Sequence, residues 1–238
     1  MGGVGRWGMN LFPNLAPKTG RLPAGIDLRC CGVEDVLAEV RGARLVIADP
    51  PWQYSQRAGA ANPEKEGIYQ GLPVSEIAKH LASARACVDR QGGRLAMWCT
   101  WPLLGAWVSE THAWEWGNIK TGGSWHKDGP GGVGFHWLGA SEIVLLYVSG
   151  SPGCQWGALK NAHNSIRQEH SVKPIDWMRG WIDRWTEPGD LVLDLYAGLG
   201  SVAVACALEG RRYVGAEIDA ERHRRAVLSV ERAIGGGL

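Results

Sequence analysis

Apolar and polar positions along the chain alternate in an ordered series of strand and helix patterns from Ile26 onward. An apolar run over residues 44–48 halts at Asp49-Pro50-Pro51-Trp52, and a polar stretch, 53–72, follows. Its length without a hydrophobic period marks it as a functional loop. Pro73-Val74-Ser75-Glu76 opens a helix with Ile77, Leu81 and Ala84 on one face, ending before the Gly92-Gly93 turn. Residues 94–100 read as a strand and 102–111 as a helix. The span 115–148 reads as two strands around a glycine-rich loop, the second, 142–148, apolar almost throughout. After a loop over 150–172 come a helix at 174–185, a strand at 190–196, a helix at 201–209, a strand at 212–218 and a helix at 220–234. Such alternation predicts an α/β fold with a mostly parallel sheet, helices on both faces, and ligands bound beyond the carboxyl ends of its strands. Residues 1–24, rich in Gly and Pro and without a period, are expected to form a flexible arm, and 25–238 a single domain.

Composition narrows the class. With 238 residues, 45% of them apolar, and 25 basic against 24 acidic groups, the chain fits neither a membrane span nor a disordered protein. A chain of this size buries roughly 70% of its unfolded surface, so its core needs no disulfide or metal. A net charge of +1 provides no global basic footprint, and attraction to nucleic acid would have to come from local loops. The six cysteines form no C-x-x-C pair, and no basic-then-apolar leader opens the sequence. A reduced, cytoplasmic location without zinc is the expectation. Tryptophan is abundant, 13 residues against 5 Tyr and 2 Phe. Its rings can fill a core or stack on a base.

Two strand ends carry chemistry. In Asp194-Leu195-Tyr196-Ala197-Gly198-Leu199-Gly200-Ser201 a buried strand meets a glycine turn and then a helix, so backbone can approach a ligand closely. The next strand ends at Glu217 and Asp219, acids placed to accept from a ribose diol. Gly198 to Ala203 also fits the G-x-G-x-x-A dinucleotide pattern. A carboxylate at Asp194, however, would repel a pyrophosphate and suit a cationic sulfonium bearing an ammonium. That favours S-adenosylmethionine over NAD.

The other strand end is Asp49-Pro50-Pro51-Trp52. An Asp before Pro is pushed out of helical dihedrals and two prolines stiffen the backbone, so the Asp49 carboxylate and the Pro50 carbonyl can be held as a pair of acceptors. Gripping both hydrogens of an exocyclic amine would turn its lone pair toward a methyl donor. Trp52 would offer a face on which a base can stack.

This D-P-P-W, followed by a glycine loop, resembles the amino-methyltransferases of nucleic-acid bases. It is similar to their N6-adenine type, because the cytosine-N4 branch usually carries Ser where Asp49 stands. The order of the two motifs resembles the permuted beta class of bacterial and phage DNA methyltransferases. Residues 69–81, Leu95-Ala96-Met97-Trp98-Cys99-Thr100, Trp125-His126-Lys127, Gly132-Val133-Gly134-Phe135 and Glu142 are similar to the mRNA adenosine methyltransferase family. His170-Ser171-Val172-Lys173-Pro174 is shared by both.

The resemblance implies a Rossmann-like, S-adenosylmethionine-dependent methyltransferase fold with a seven-stranded sheet. It implies methyl transfer to adenine N6 in DNA, with the base flipped into a pocket formed by Asp49, Pro50, Pro51 and Trp52. Lys173 would meet the cofactor's carboxylate, Asp194, Tyr196, Gly198 and Gly200 would line its pocket, and Glu217 would bind the ribose with Asp219 beside it. Tyr54, Tyr69, Trp125, Lys127 and His170 are the candidate substrate contacts. Leu138 stands where the mRNA-modifying relatives place an Arg, and the Asp194 to Gly198 segment follows the DNA enzymes, so DNA is the expected partner. RNA adenine, DNA cytosine-N4 and a noncatalytic binding subunit are the competing readings. The loops leave little room for a separate target-recognition domain, so a short target sequence, an oligomer or a specificity partner is a further expectation.

The remaining candidates read as structural. Trp177, Trp181 and Trp185, four apart on one helix face, are expected in the core. His126, His136 and His163 are expected in loops, where Lys120, Lys160 and Arg167 could touch phosphates. Arg222, Arg224 and Arg225 are expected on a solvated helix face.

Overall fold

The computed structural model describes residues 22–53, 71–128, 139–153, 159–166 and 172–235. Tyr54, Tyr69, Gly132-Val133-Gly134-Phe135, His136, Leu138, Arg167, His170 and nearly all of the expected arm lie outside them. The elements run β1 (Ile26–Cys30), α1 (Val33–Glu39), β2 (Ala43–Ala48), α2 (Val74–Ala84), β3 (Gly92–Cys99), α3 (Trp101–Glu110), β4 (Thr121–Asp128), β5 (Ser141–Gly150) and β6 (Ala162–Ile166). Then come α4 (Ile175–Trp185), β7 (Leu191–Asp194), α5 (Ser201–Glu209), β8 (Arg212–Glu217) and α6 (Ala220–Ile234).

Among the described residues, eight strands join one sheet in the order β1-β8-β7-β2-β3-β5-β4-β6. The pairings from β1 through β3 are parallel, and β5 runs antiparallel to both β3 and β4. The seven strands expected become eight because β6 pairs with β4 at the edge of the sheet. Its residues His163, Asn164 and Ser165 are polar, so no apolar alternation betrays it within the segment read as a loop. Helix α1, seven residues long, is also absent from the sequence pattern.

Alternation along the central strands divides the core into two faces. Val46, Ala48, Leu95, Met97, Leu191 and Leu193 pack with Val36, Ile77, Leu81 and Trp107, from α1, α2 and α3. Leu45, Ile47, Ala96, Trp98 and Val192 pack on the other side with Met178, Ile182, Ala205 and Val230, from α4, α5 and α6. Burial on both faces explains why these parallel strands read as continuous apolar runs. Trp177 and Trp181 are buried in the second face as expected, and Trp185 stacks on Trp181 with centroids 5.9 Å apart.

The chain crosses from β2 through α2 to β3 in one direction along the sheet, and from β7 through α5 to β8 in the other. The order therefore reverses between β2 and β7, which opens a crevice outside their carboxyl ends. Asp194, the last residue of β7, pairs in register with Ile47, two residues before Asp49. Among the described residues, no helix is long and apolar enough to cross a membrane, and no group of three His, Cys, Asp or Glu is placed to hold a metal ion.

Candidate active site

Both chemistry-bearing segments reach this crevice. Past Asp49 the chain is anchored by a two-way backbone bridge: Leu72 N–H donates to the Pro51 carbonyl at 2.7 Å, and Gln53 N–H donates to the Leu72 carbonyl at 3.0 Å. The prolines and this bridge together hold the tetrapeptide rigid.

The Asp49 carboxylate is engaged. Lys173 Nζ donates to Asp49 Oδ2 at 2.5 Å and lies 3.3 Å from Glu142 Oε2, and Lys127 donates to Glu142 Oε1. The four side chains form an alternating row of two carboxylates and two ammonium groups, from Asp49 after β2 through Lys173 just before α4 to Glu142 on β5 and Lys127 on β4. Lys173 Nζ also sits 5.1 Å from the centroid of the Trp98 ring, and Lys127 Nζ 5.2 Å from that of Trp125. Burial by itself would raise the Glu142 carboxyl, but Lys173 and Lys127 outweigh it and hold it at about 2. Burial pushes the Asp49 carboxyl up, opposed by Lys173. For Lys173 burial favours the neutral amine, yet Asp49 and Glu142 overcome it and keep the ammonium firmly charged.

On the other side of the crevice, Asp194 is buried behind the glycine turn. Its Oδ1 accepts from Tyr196 N–H at 3.3 Å and its Oδ2 from the Tyr213 hydroxyl at 3.0 Å. Burial raises this carboxyl to about 7 against both hydrogen bonds, with Asp49 and Glu217 adding to the rise. Tyr213 reaches Asp194 by lying along β8 over Gly215, where a Cβ would fall 2.0 Å from its hydroxyl oxygen. Glu217 closes the turn: Oε2 accepts from Gly198 N–H and Oε1 from Asp219 N–H, each at 2.8 Å. Burial raises Glu217, opposed by the Asp219 and Gly198 amides. Gly200 has φ 83°, and a Cβ there would meet Ala226 Cβ at 2.9 Å. It is thus needed both for backbone conformation and for the close approach of α6.

Several expected roles are redrawn. Trp52 does not open a face to the crevice. It is buried at 4% exposure, its ring edge-on to Trp107 at 5.8 Å, because the Pro51–Leu72 bridge turns it into the first core face. Trp98 and Trp125 are likewise buried, in contact edge-on at 6.0 Å, and Trp125 Nε1 donates to Ser165 Oγ. Lys127 meets Glu142, and Lys173 meets Asp49 and Glu142. Asp219 accepts from Arg222 N–H with Oδ1 and so caps α6. His163 does not project from a loop but lies on β6, parallel to the Trp177 ring at 5.5 Å.

Other residues escaped the sequence reading. Ile218, 81% exposed, stands between Glu217 and Asp219 as an apolar surface at the strand end. The signal for it was an Ile between two acids where a strand stops. Tyr213 and Gly215 had no such signal, because their relation exists only across paired strands. Trp101, by contrast, is expected at a strand end that could border the cleft; it follows the carboxyl end of β3, 58% exposed, and donates to Ser141 Oγ at 3.2 Å.

This arrangement is that of the S-adenosylmethionine-dependent methyltransferase fold. The structure aligns with a DNA modification methylase from Thermus thermophilus solved with S-adenosyl-L-methionine, at TM-score 0.67 and 19% identity, over 88% of this chain and 95% of that one. It also aligns with the PvuII DNA methyltransferase, described as cytosine-N4-specific, at TM-score 0.65 and 12% identity, over 88% of this chain and 92% of that one. The profile of the DNA methylase family of N6 and N4 type matches residues 107–228, and the chain belongs to that family. A methylase of Escherichia coli (strain K12), YubD, is 36% identical over 103 residues, 40% of this chain and 45% of that protein. The chain thus spans less than half the length of that curated relative.

Proposed function

We propose that the protein is an S-adenosylmethionine-dependent DNA methyltransferase acting on the exocyclic N6 amine of adenine. The observation that carries this reading is Asp49, held by two prolines at the point where the strand order reverses, and receiving N–H donation from Lys173 at 2.5 Å. An exocyclic amine presents the same kind of donor to that carboxylate.

The carboxyl ends of β7 and β8 fit the cofactor. Asp194 supplies negative charge for a sulfonium and an ammonium, Glu217 retains lone pairs for a diol beyond the two amides it accepts from, and Ile218 offers an apolar surface for an adenine ring. The bound cofactor supplies an activated methyl whose transfer leaves a neutral thioether, with the positive charge passing to the amine nitrogen. The protein's part is positioning: Asp49 and the Pro50 carbonyl hold the amine hydrogens and fix the lone pair in line with the methyl. For this, Lys173 must give up Asp49. Glu142 at 3.3 Å, or the cofactor's carboxylate, provides its alternative partner. The target base leaves the duplex stack at a cost of a few kcal/mol.

Asp49 rather than Ser supports adenine over cytosine. The likeness to the PvuII enzyme keeps cytosine-N4 as the competing reading. The test is transfer of a tritiated methyl group to DNA, followed by mass spectrometry of the digested nucleosides. N6-methyladenine in DNA, lost on Asp49→Ala while cofactor binding persists, is the expected result. N4-methylcytosine would replace the adenine assignment, modified RNA would replace the DNA assignment, and label transfer undiminished in Asp49→Ala would overturn the role of the tetrapeptide.

A further inference from the structure

A second hydrogen-bonded chain touches the cofactor turn from the opposite face of the sheet, and the methyl-transfer reading does not use it. The Tyr196 hydroxyl lies 2.9 Å from His80 Nδ1, and His80 Nε2 lies 3.1 Å from Glu34 Oε1. Glu34 belongs to α1, His80 to α2 and Tyr196 to the turn between β7 and α5, so three segments distant in sequence meet at one imidazole.

The tautomer follows from the partners. A carboxylate can only accept, so Nε2 carries the hydrogen that faces Glu34, and in the neutral imidazole Nδ1 then accepts from the tyrosine hydroxyl. Burial, with Glu34 and Glu76 adding to it, raises the Tyr196 hydroxyl well above its ordinary range and keeps it a donor. The chain therefore has one direction: Tyr196 O–H to His80, His80 N–H to Glu34.

Its position gives it a task. The turn is tied toward β8 by Ala197 N–H on the Ala216 carbonyl and Gly198 N–H on Glu217. Tyr196 ties it the other way, to α2. That helix begins immediately after Leu72, whose backbone bridges Pro51 of the tetrapeptide. One short helix thus abuts the amine-gripping segment at its start and the cofactor turn at its second turn.

We propose that His80, oriented by Glu34, is a positioning residue for the cofactor turn, acting through the Tyr196 hydroxyl and linking the turn to the helix that follows Asp49-Pro50-Pro51-Trp52. The proposal rests on the methyltransferase reading, since it takes the β7–α5 turn as the cofactor site.

The test is calorimetric titration of the full chain with S-adenosylmethionine, together with steady-state methyl transfer. His80→Ala and Tyr196→Phe should each raise Kd about threefold to tenfold, the scale of one hydrogen bond. The double variant should be no weaker than the weaker single, because both changes cut the same link. His80→Asn, whose amide oxygen can accept where Nδ1 does, should bind within about twofold of the unaltered chain. KM for the cofactor should rise in His80→Ala by the same factor as Kd, while kcat changes less. Tyr196→Phe retains the ring and guards against a folding defect. Unchanged affinity in the single variants, additive losses in the double, or no rescue by Asn would overturn the positioning role and leave the methyltransferase reading intact. If the unaltered chain fails to bind S-adenosylmethionine, both fall.

Discussion

Lys173 and Asp49, 124 residues apart, form an ion pair at 2.5 Å, so the cation at the start of α4 occupies the acceptor at the end of β2. The pair continues through Glu142 to Lys127, and each carboxylate of the row faces an ammonium. Uncompensated charge at such a site is costly, so removing the cation between the two carboxylates should be felt in stability.

Lys173→Met retains much of the volume and removes the charge. It should destabilise the fold by about 2–4 kcal/mol, because Glu142 and Asp49 then face each other without the cation between them. Urea unfolding checks this, with an unchanged slope marking a change in stability alone. Adding Asp49→Asn to Lys173→Met should recover part of the loss.

The Asp194 carboxyl, raised by burial to about 7, makes a pH prediction with a definite sign. Between about 4 and 7 the folded chain holds a proton here that the unfolded chain has lost. Folding stability from this group therefore falls as pH rises through that window, by an amount on the order of 4 kcal/mol when the full shift is expressed. Glu142, held at about 2, acts in the opposite sense: its contribution is present above its ordinary value and lost as pH falls toward 2. The measurement is the difference in Tm against pH between the unaltered chain and Asp194→Asn, which should narrow as pH falls from 7 to 4. A cationic ligand beside Asp194 should release that proton, so its affinity should rise with pH up to about 7.

Gly215→Ala tests the support behind Asp194. Its methyl would lie 2.0 Å from the Tyr213 hydroxyl oxygen and 2.5 Å from ring carbon Cζ, so the whole ring must move, not the hydroxyl alone. Tyr213→Phe removes only the donor to a buried carboxylate, a loss of about 1–3 kcal/mol. Chemical denaturation should show Gly215→Ala to be the more destabilising of the two, and the alanine variant should also weaken cofactor binding.

The stiff turn at Asp49-Pro50-Pro51-Trp52 and the glycine turn after Asp194 could be found in the chain because each depends on local chemistry. Proline restricts its own backbone and its predecessor's, and glycine permits the left-handed conformation seen at Gly198 and Gly200. Helices α5 and α6 keep their read boundaries of 201–209 and 220–234, being bounded by Gly200, Gly210 and the Asp219 cap. Strand β6 could not be read, because an edge strand of polar residues has no buried face to impose a period.

Side-chain periodicity and backbone stereochemistry along the chain set the strand–helix alternation, the two strand ends that meet at the crevice and the packing of Trp177 and Trp181. Partners were decided only in three dimensions. Lys173 lies at Asp49, Trp52 turns into the core rather than the crevice, Tyr213 reaches Asp194 across Gly215, and His80 joins Glu34 to Tyr196. Each of these depends on which strands become neighbours and which face a helix covers. Buried charges and hydroxyls take whatever opposite partner the packed sheet brings within about 3 Å, a choice that no spacing along the chain encodes.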